Sequence, residues 1–582
     1  MIFHWKPTEY IFTPDSFTYK TSDGQIWFKG YFTYQEKIYS GIDAVEILHQ
    51  YALSEPNCNY NQFNGIYSAI FLSNDKKNIK ILNDRFGFRP IYYYYCKNEL
   101  ILSDNYWEVC KRLQIINLDE QSILELLKFT YVLEDRSIIK NIFFIQPSTI
   151  AHIQLDPSTG CQMHCDTYWN TDYQPSEINI HEASDRIKYL LNKIIQRYQT
   201  SLFKPPKKIG INLTGGLDSR VLLSLLVQNQ VSPASIIAYT YGHPKADDHK
   251  IARTITDHLK IKHHQVLYGD EFYDYFSLEV IDELTNRIGY TNYYSQAYGV
   301  NRQTDKYAES DYLITGSDGF IFGNFINLRL LKINTKEELV RYILQSSGQA
   351  CTDNVLKNGI TIQEAEEKIF NQIFQSDTLK CKDTISAYFN WIIKNKPPKF
   401  LLSPFELQNE QTCVLLPFYD YEFIDFMLTL PPEILMNQNA YINTAYEKIF
   451  IGTEEWMKQI PVEKRGYPKR KSNQIFFLYR NKKIFTRIKK KMWFTIDYSF
   501  PFPAFAFFRK DQAACLKRIQ KILAGNSAIL STKAIQKSIK RKTRSEHFFN
   551  YGLSTILTLL RIEKKIDTLK IDHINTGDAG KK

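Results

Sequence analysis

The sequence predicts a multidomain protein of mixed α/β and α+β class: a β-rich amino-terminal domain, then a parallel-sheet α/β domain with a largely helical carboxyl-terminal part. Three observations carry this expectation. The 582 residues exceed the size at which one hydrophobic core stops growing, so two or three domains are expected. Residues 1–155 hold short β-branched and aromatic runs separated by turn formers. From residue 208 onward, strand-like runs alternate with helices of about a dozen residues. With 44% apolar and 23% charged residues, the composition excludes disordered and fibrous classes.

In the first domain, IWFKGYF (26–32), GIYSAIFL (65–72), IKILND (79–84), IYYYYC (91–96) and ELILS (99–103) read as strands. AVEILHQYAL (44–53) and EQSILELLKFTYV (120–132) have helical spacing of their apolar residues. Residues 158–175 read as a connection, which places domains at 1–157 and 180–582 and a linker at 158–179. A long helix starts near Ile180 and stops before Pro205 and Pro206. KIGINL (208–213) then reads as a buried strand, TGGLDS (214–219) as a glycine loop and RVLLSLLVQNQ (220–230) as a helix. SIIAYTYG (235–242), HHQVLYG (263–269) and YLITG (312–316) follow as strands, with DHKIARTITDHL (248–259) a helix between the first two. Beyond residue 330 the pattern is mostly helical, and the helix over EFIDFMLTL (422–430) ends at Pro431 and Pro432.

Nine cysteines, odd in number and irregularly spaced, argue against a disulfide scaffold. Cys161, His164 and Cys165 have no second ligand cluster to complete a zinc site. MIFHWKPTEY lacks the pattern of a secretion signal, and no apolar run is long enough to span a bilayer, so a reducing cytoplasmic setting is the default expectation. The formal charge of +11 is concentrated: residues 461–544 hold 23 basic and 3 acidic residues, a local +20. Such a field attracts polyanions or acidic substrates, or belongs to a solvated helical surface.

The sharpest local signal is Leu213-Thr214-Gly215-Gly216-Leu217-Asp218-Ser219, between an apolar strand and an apolar helix. Adjacent glycines let main-chain N–H groups converge without Cβ obstruction, and the helix start adds partial positive charge. Thr214 and Ser219 add hydroxyl donors, and Asp218 is suited to a Mg²⁺ ion bridging to phosphate oxygens. No Gly-Lys-Ser or Gly-Lys-Thr follows, which separates the loop from the kinase-type phosphate loop.

Thr214–Ser219 resembles the SGGLDS signature of the ATP-pyrophosphatase superfamily, with Thr for the first Ser. Further segments narrow the resemblance to its asparagine-synthetase-like branch. The strand ending Tyr239-Thr240-Tyr241-Gly242, followed by Asp248, is similar to the second nucleotide element. Gly316-Ser317-Asp318 through Phe322-Gly323 is similar to the pyrophosphate-side loop, although the usual Asp-Glu pair is absent and Asp318 is the one carboxylate offered. Val414–Asp420 resembles an architectural segment in which Asp420 anchors the following helix. Lys464, with Arg465 in reserve, falls where the branch places a charge-neutralising lysine before a glycine.

In the amino-terminal domain, Asn64–Ala69 and Asn83–Tyr93 resemble a class II glutamine amidotransferase domain, which implies an αββα sandwich. Active relatives carry a nucleophilic cysteine directly after the initiator methionine. Here that residue is Ile2 and the first cysteine is Cys58, so the resemblance implies a degenerate domain with no glutaminase nucleophile, similar in this to β-lactam synthetases and lasso-peptide cyclases.

Taken together, the resemblance implies an ATP-dependent ligase that adenylates a carboxylate, releases pyrophosphate and passes the acyl group to an amine or ammonia. It implies ATP and Mg²⁺, catalytic roles for Asp218 and Lys464, metal ligation by Asp218 and Asp318, and a nucleotide site lined by Leu213 to Ser219, Tyr239, Asp248, Gly316 and Ser317. The expected partners are a small-molecule or peptide carboxylate and its amine, with a precursor peptide, a pathway protein or a homodimer left open and nucleic acid disfavoured. Rival readings are an ammonia-dependent asparagine synthetase, a tRNA- or nucleotide-modifying ATP pyrophosphatase, and an inactive ATP-binding scaffold.

Overall fold

Aromatic and β-branched runs in the first part of the chain pair into two antiparallel sheets. Their strands are β1 (Ile2–Lys6), β2 (Glu9–Thr13), β3 (Thr18–Lys20), β4 (Gly24–Tyr34) and β5 (Lys37–Ser40), followed by helix α1 (Gly41–Leu48). Then come β6 (Asn64–Ser73), β7 (Asn78–Asn83), β8 (Tyr92–Cys96) and β9 (Glu99–Ser103), and helices α2 (Tyr106–Cys110) and α3 (Glu120–Phe129). The domain closes with β10 (Ile142–Phe144), β11 (Thr149–Asp156) and β12 (Gly160–Thr167). This computed structural model describes residues 1–53, 58–242, 244, 246–268, 279–290, 294–317, 323, 325–346, 355–357, 360–459, 527, 529–531, 533–537 and 552–579.

One sheet has the order β10-β8-β9-β1-β2 and the other β12-β11-β7-β6-β4-β3, with β5 also paired to β4. Phe3, Trp27, Ile70, Ile81, Leu102 and Ile153 fill the space between them. On the outside, Ala44, Val45 and Leu48 of α1 pack on Phe28, Phe32 and Tyr67, while α2 covers the other sheet at Tyr92. The layers are therefore α, β, β, α, as the resemblance implies. At the centre of one sheet, β4 and β6 approach through glycines. A Cβ on Gly30, whose φ is +122°, would lie 2.1 Å from the Ile66 carbonyl oxygen.

The expected connection over 158–179 is corrected at its start: β12 pairs with β11 from Gly160 to Thr167. It is an edge strand whose outer residues Gln162, His164 and Asp166 are polar, so it carries no apolar alternation to betray it. The same strand separates Cys161, buried between the sheets, from His164, which is exposed. Among the described residues no group of His, Cys, Asp and Glu is placed to hold a metal ion. No described helix is long and apolar enough to cross a membrane.

The second part begins with α4 (Ile180–Ser201), capped by Asn179 and Glu182 in a reciprocal capping box. There follow β13 (Ile209–Asn212), α5 (Leu217–Gln228), β14 (Ile236–Gly242), α6 (Asp247–Leu259), β15 (Lys262–Leu267), α7 (Glu279–Ile288), β16 (Tyr312–Ile314) and β17 (Cys413–Leu415). The five strands form one parallel sheet in the order β15-β14-β13-β16-β17. The chain builds outward from β13 to β15, then returns to the other side of β13. Strand order thus reverses between β13 and β16, the position at which open α/β sheets bind ligands beyond their carboxyl ends. Strand β17 overlaps the start of the segment Val414–Asp420 read from sequence as architectural.

The two parts meet through the segments around residues 85 and 420. Asp420 caps the helix Tyr421–Met427, accepts from Asn64 Nδ2 at 2.9 Å and pairs with Arg197 of α4 at 3.0 Å. Asn64 Oδ1 in turn accepts the Tyr421 N–H at 2.8 Å. Arg85 reaches Asp425 at 2.7 Å, and its guanidinium lies 4.7 Å from the Trp169 ring and 4.1 Å from the Tyr421 ring. Phe86 and Phe88 set their edges against Tyr419, with ring centroids 5.0 and 4.8 Å away. Asn64→Ala would leave both a carboxylate oxygen and a buried main-chain N–H short of a partner. We expect it to cost about 1–3 kcal/mol, seen as a lower urea midpoint.

Candidate active site

Strand β13 is central, so the loop that leaves it is flanked on both sides. The Leu213 N–H donates to the Tyr239 carbonyl at 2.9 Å, and Thr240 Oγ1 donates to the Leu213 carbonyl at 2.7 Å, which fixes where the loop starts. Leu213 and Leu217 are buried and hold the loop down from below. Gly216 is the N-cap of α5 and, lacking a side chain, makes no cap hydrogen bond of its own, so the partial positive charge of the helix start faces the loop. Thr214 Oγ1 accepts the Gly216 N–H at 3.0 Å, and Ser219 Oγ accepts the Thr214 N–H at 3.2 Å. Thr214 and Ser219 therefore brace the turn from either end.

Two other loops clamp it. Asp248, fully buried in the first turn of α6, accepts the Gly215 N–H at 2.6 Å. Gly316, just past β16, lies so close to the first turn of α5 that a Cβ there would sit 2.8 Å from Asp218 Cβ and 3.0 Å from Ser219 N. Thr315 and Ser317 flank it, their hydroxyl oxygens 3.3 Å apart, and the Thr315 N–H donates to the Leu415 carbonyl at 3.2 Å. The loops after β13, β14 and β16 thus converge on one point at the strand-order reversal.

Beneath the first turn lies a polar cluster inside the protein. Burial pushes the Tyr441 phenol well above its ordinary range, and the neighbouring Asp218 carboxylate pushes it further. Arg220, fully buried, donates from Nε to the Gly216 carbonyl at 3.2 Å and from Nη1 to the Met457 carbonyl at 3.4 Å. Burial lowers its guanidinium pKa, while Tyr446, Tyr441 and Asp218 oppose that. The carboxylate at 218 therefore lies near a phenol, a guanidinium and the helix start.

Among the expected site residues, Thr214, Gly215, Gly216, Asp218, Ser219, Asp248, Gly316 and Ser317 are gathered in this cluster. Tyr239 is not, and that expectation is corrected. Its ring packs against Gly210 in the body of the sheet, and its hydroxyl meets Ser310 Oγ at 2.6 Å and donates to the Lys306 carbonyl at 2.9 Å. Alternation along β14 turns its side chain into the core, leaving only its main-chain carbonyl on the loop. Asp318 and Lys464 lie outside the described residues. Sequence reasoning missed Arg220 and Tyr441. The signal for the first was present, a charged residue in the otherwise apolar run VLLSLL; the second comes from a distant helix and left none.

The amino-terminal domain offers a different arrangement. The Met1 ammonium is buried between two carboxylates, 2.8 Å from Asp15 and 2.9 Å from Asp104, and Trp27 Nε1 also donates to Asp15 at 3.2 Å. Residue 2 onward is already strand β1, hydrogen-bonded on both sides. Cys58 is partly buried against the core under α1.

A model of glutamine amidotransferase domains matches residues 30–169, and a model of asparagine synthase matches residues 205–297. The first match falls on the antiparallel sandwich, the second on the strands and helices that carry the glycine loop. The chain is 21% identical over 417 residues to the glutamine-hydrolysing asparagine synthetase of Homo sapiens, covering 70% of this chain and 63% of that one. It is 21% identical over 372 residues to a probable glutamine-hydrolysing asparagine synthetase of Acanthamoeba polyphaga mimivirus, covering 63% and 57%. The chain thus spans less than two thirds of the length of either relative. A solved NH3-dependent NAD synthetase from Campylobacter jejuni aligns at 12% identity over 30% of this chain and 65% of that one, with a TM-score of 0.17.

The clamp geometry predicts an order of damage. A Cβ at Gly215 meets mainly the tip of Ile251, at 2.7 Å, which can move; at Gly316 it meets the backbone and Cβ of the α5 first turn. Gly316→Ala should therefore cost about 1–3 kcal/mol of stability and Gly215→Ala less than about 1 kcal/mol, read as shifts of the urea midpoint. The reverse order would show that Gly316 does not clamp the turn.

Proposed function

Taking the chain as a member of the asparagine synthetase-like family, we propose that it is an ATP-dependent carbon–nitrogen ligase that activates a substrate carboxylate as its acyl-adenylate. The observation that carries this is the convergence of the loops after β13, β14 and β16 on the uncapped start of α5, with Gly215 held to Asp248 at 2.6 Å. That arrangement offers main-chain donors, two hydroxyls and one carboxylate to a triphosphate and its cation, and Mg²⁺ commonly takes few protein carboxylates when phosphate oxygens complete its shell.

In this reading Gly215 and Gly216, whose own N–H groups bond Asp248 and Thr214, let the phosphates approach the backbone closely, Ser219 and the first turn of α5 orient them, Asp218 would hold the cation that accompanies ATP, and Gly316 and Ser317 line the side from which pyrophosphate leaves. Asp318 is assigned as a further cation ligand and Lys464 as the group that neutralises charge on the α-phosphate, both carried over from the resemblance. The substrate carboxylate oxygen attacks the α-phosphorus, the bond to the bridging oxygen breaks, and pyrophosphate departs. An amine then attacks the acyl carbon and AMP departs as the leaving group. Positioning and charge stabilisation supply most of the acceleration, since the chain offers no covalent partner in this scheme.

We assign no glutamine hydrolysis to the amino-terminal domain, because Ile2 stands where the resembling enzymes carry cysteine and the Met1 ammonium is engaged by Asp15 and Asp104. The nitrogen then comes from ammonia or from an amine of the substrate, with aspartate plus ammonia one case to test.

ATP–pyrophosphate exchange across a panel of carboxylates is expected to identify one that supports exchange. Asp218→Ala should lower that exchange by at least ~100-fold, and undiminished exchange would remove Asp218 from its role. With the active carboxylate, ammonium or an amine should yield amide, while glutamine alone should release no glutamate. Glutamate release at a rate matching amide formation would overturn the assignment of a non-hydrolytic domain.

A further inference from the structure

Between Arg220 and Gln228, helix α5 reads RVLLSLLVQ, and its polar side chains fall at Arg220, Ser224 and Gln228, four residues apart. That spacing puts them on one face of the helix. All three reach the same strip of chain. Arg220 Nη1 donates to the Met457 carbonyl at 3.4 Å, Ser224 Oγ approaches Met457 Sδ at 3.2 Å, and Gln228 Nε2 donates to the Ile449 carbonyl at 2.7 Å. The strip is irregular: Phe450 and Met457 are buried, and the 3₁₀ helix Gly452–Gln459 lies within it. Its main-chain carbonyls need partners that regular structure does not supply.

Ser224 and Gln228 are inexpensive answers to that need. Arg220 is not. A buried guanidinium costs several kcal/mol to desolvate, and an apolar residue would fill the same space. Its distinguishing feature is that one fork spans two carbonyls: Gly216, the last residue of the glycine loop, and Met457 in the strip. We propose that Arg220 is a positioning residue for the nucleotide loop, fixing the Gly216 peptide and tying it to the strip 449–457 so that the first turn of α5, Leu217 to Ser219, keeps its phosphate-receiving arrangement. The proposal rests on the reading of that loop as a triphosphate cradle. It adds a buried strut that the SGGLDS-like signature does not contain.

The test uses the full chain with Arg220→Met and Arg220→Lys, and two readouts. Binding of Mg²⁺-ATP and of adenosine is measured by calorimetry. Hydrogen exchange is followed in nucleotide-free protein for peptides covering residues 449–459 and, as a control, strands β4 and β6. Arg220→Met is expected to weaken ATP about 10–100-fold while adenosine changes less than about twofold, because only the phosphate donors move. It is also expected to speed exchange in 449–459 and leave the control strands unchanged. Arg220→Lys, which keeps the charge but not the fork, should give an intermediate loss and serves where the Met variant does not fold. Equal losses of ATP and adenosine, or no loss of either, would overturn the positioning role. Unchanged exchange in 449–459 would overturn the strut. Wild-type protein that binds no ATP, with the exchange effect still present, would bring down the nucleotide reading and leave the strut standing.

Discussion

The candidate site depends on one short hydrogen bond, from the Gly215 N–H to the buried carboxylate of Asp248 at 2.6 Å. A glycine pair has more backbone freedom than any other dipeptide, and a loop of that kind is useful only if something outside it removes the freedom. Asp248 does so from the neighbouring strand–helix unit. Because β13 and β14 run parallel and in register, the start of α6 arrives level with the start of α5. Gly316 closes the other side, and it can do so only because it lacks a Cβ. Three loops from three strands therefore define one small volume, and the strand-order reversal between β13 and β16 is what leaves room above it.

The same logic separates what could be read from the sequence from what could not. The glycine loop was legible because its neighbours in sequence are its neighbours in space: an apolar strand before, an apolar helix after. Asp248 was legible as the start of a helix after the second strand, but not as the acceptor that holds Gly215, since that bond spans 33 residues. Tyr239 was misread because resemblance fixes a position in the chain, whereas the pleat decides which face its side chain takes. In the first domain β4, β6, β7, β8 and β9 were legible through their aromatic and β-branched runs. The edge strand β12 was not, because it exposes Gln162, His164 and Asp166 to solvent and reads as loop.

Segments that looked alike in specificity proved to have different work. Asn83–Tyr93 and Val414–Asp420 are among the most recognisable stretches of the chain, and both lie where the two parts of the chain meet. Asp84 is buried and gathers the N–H groups of Tyr67, Phe86 and Gly87 at 3.0, 2.6 and 2.9 Å, which folds its loop into a tight turn. That turn presents Arg85, Phe86 and Phe88 to the second domain. Recognisable sequence thus marks places where buried polar groups must be satisfied in one way only, whether at a site or at a joint.

This bears on why an amidotransferase-type domain accompanies the domain for which we propose ligase activity. The second domain does not present a finished surface without it. Tyr31 supplies the hydroxyl that accepts the Leu416 N–H at 3.1 Å, immediately after β17, and Asn64 satisfies both Asp420 and the Tyr421 N–H. Strand β17 is the edge of the parallel sheet and the direct neighbour of β16, whose loop holds Gly316 against the start of α5. A path of hydrogen bonds therefore runs from the sandwich through β17 and β16 to the glycine loop, including the Thr315 N–H to the Leu415 carbonyl. Stripped of the sandwich, Tyr419 and Tyr421 would lose the rings of Phe86 and Phe88 that cover them, at a cost that burial of aromatic area alone makes large. The amino-terminal domain thus braces the edge of the parallel sheet, and that role rests on the shape of the sandwich.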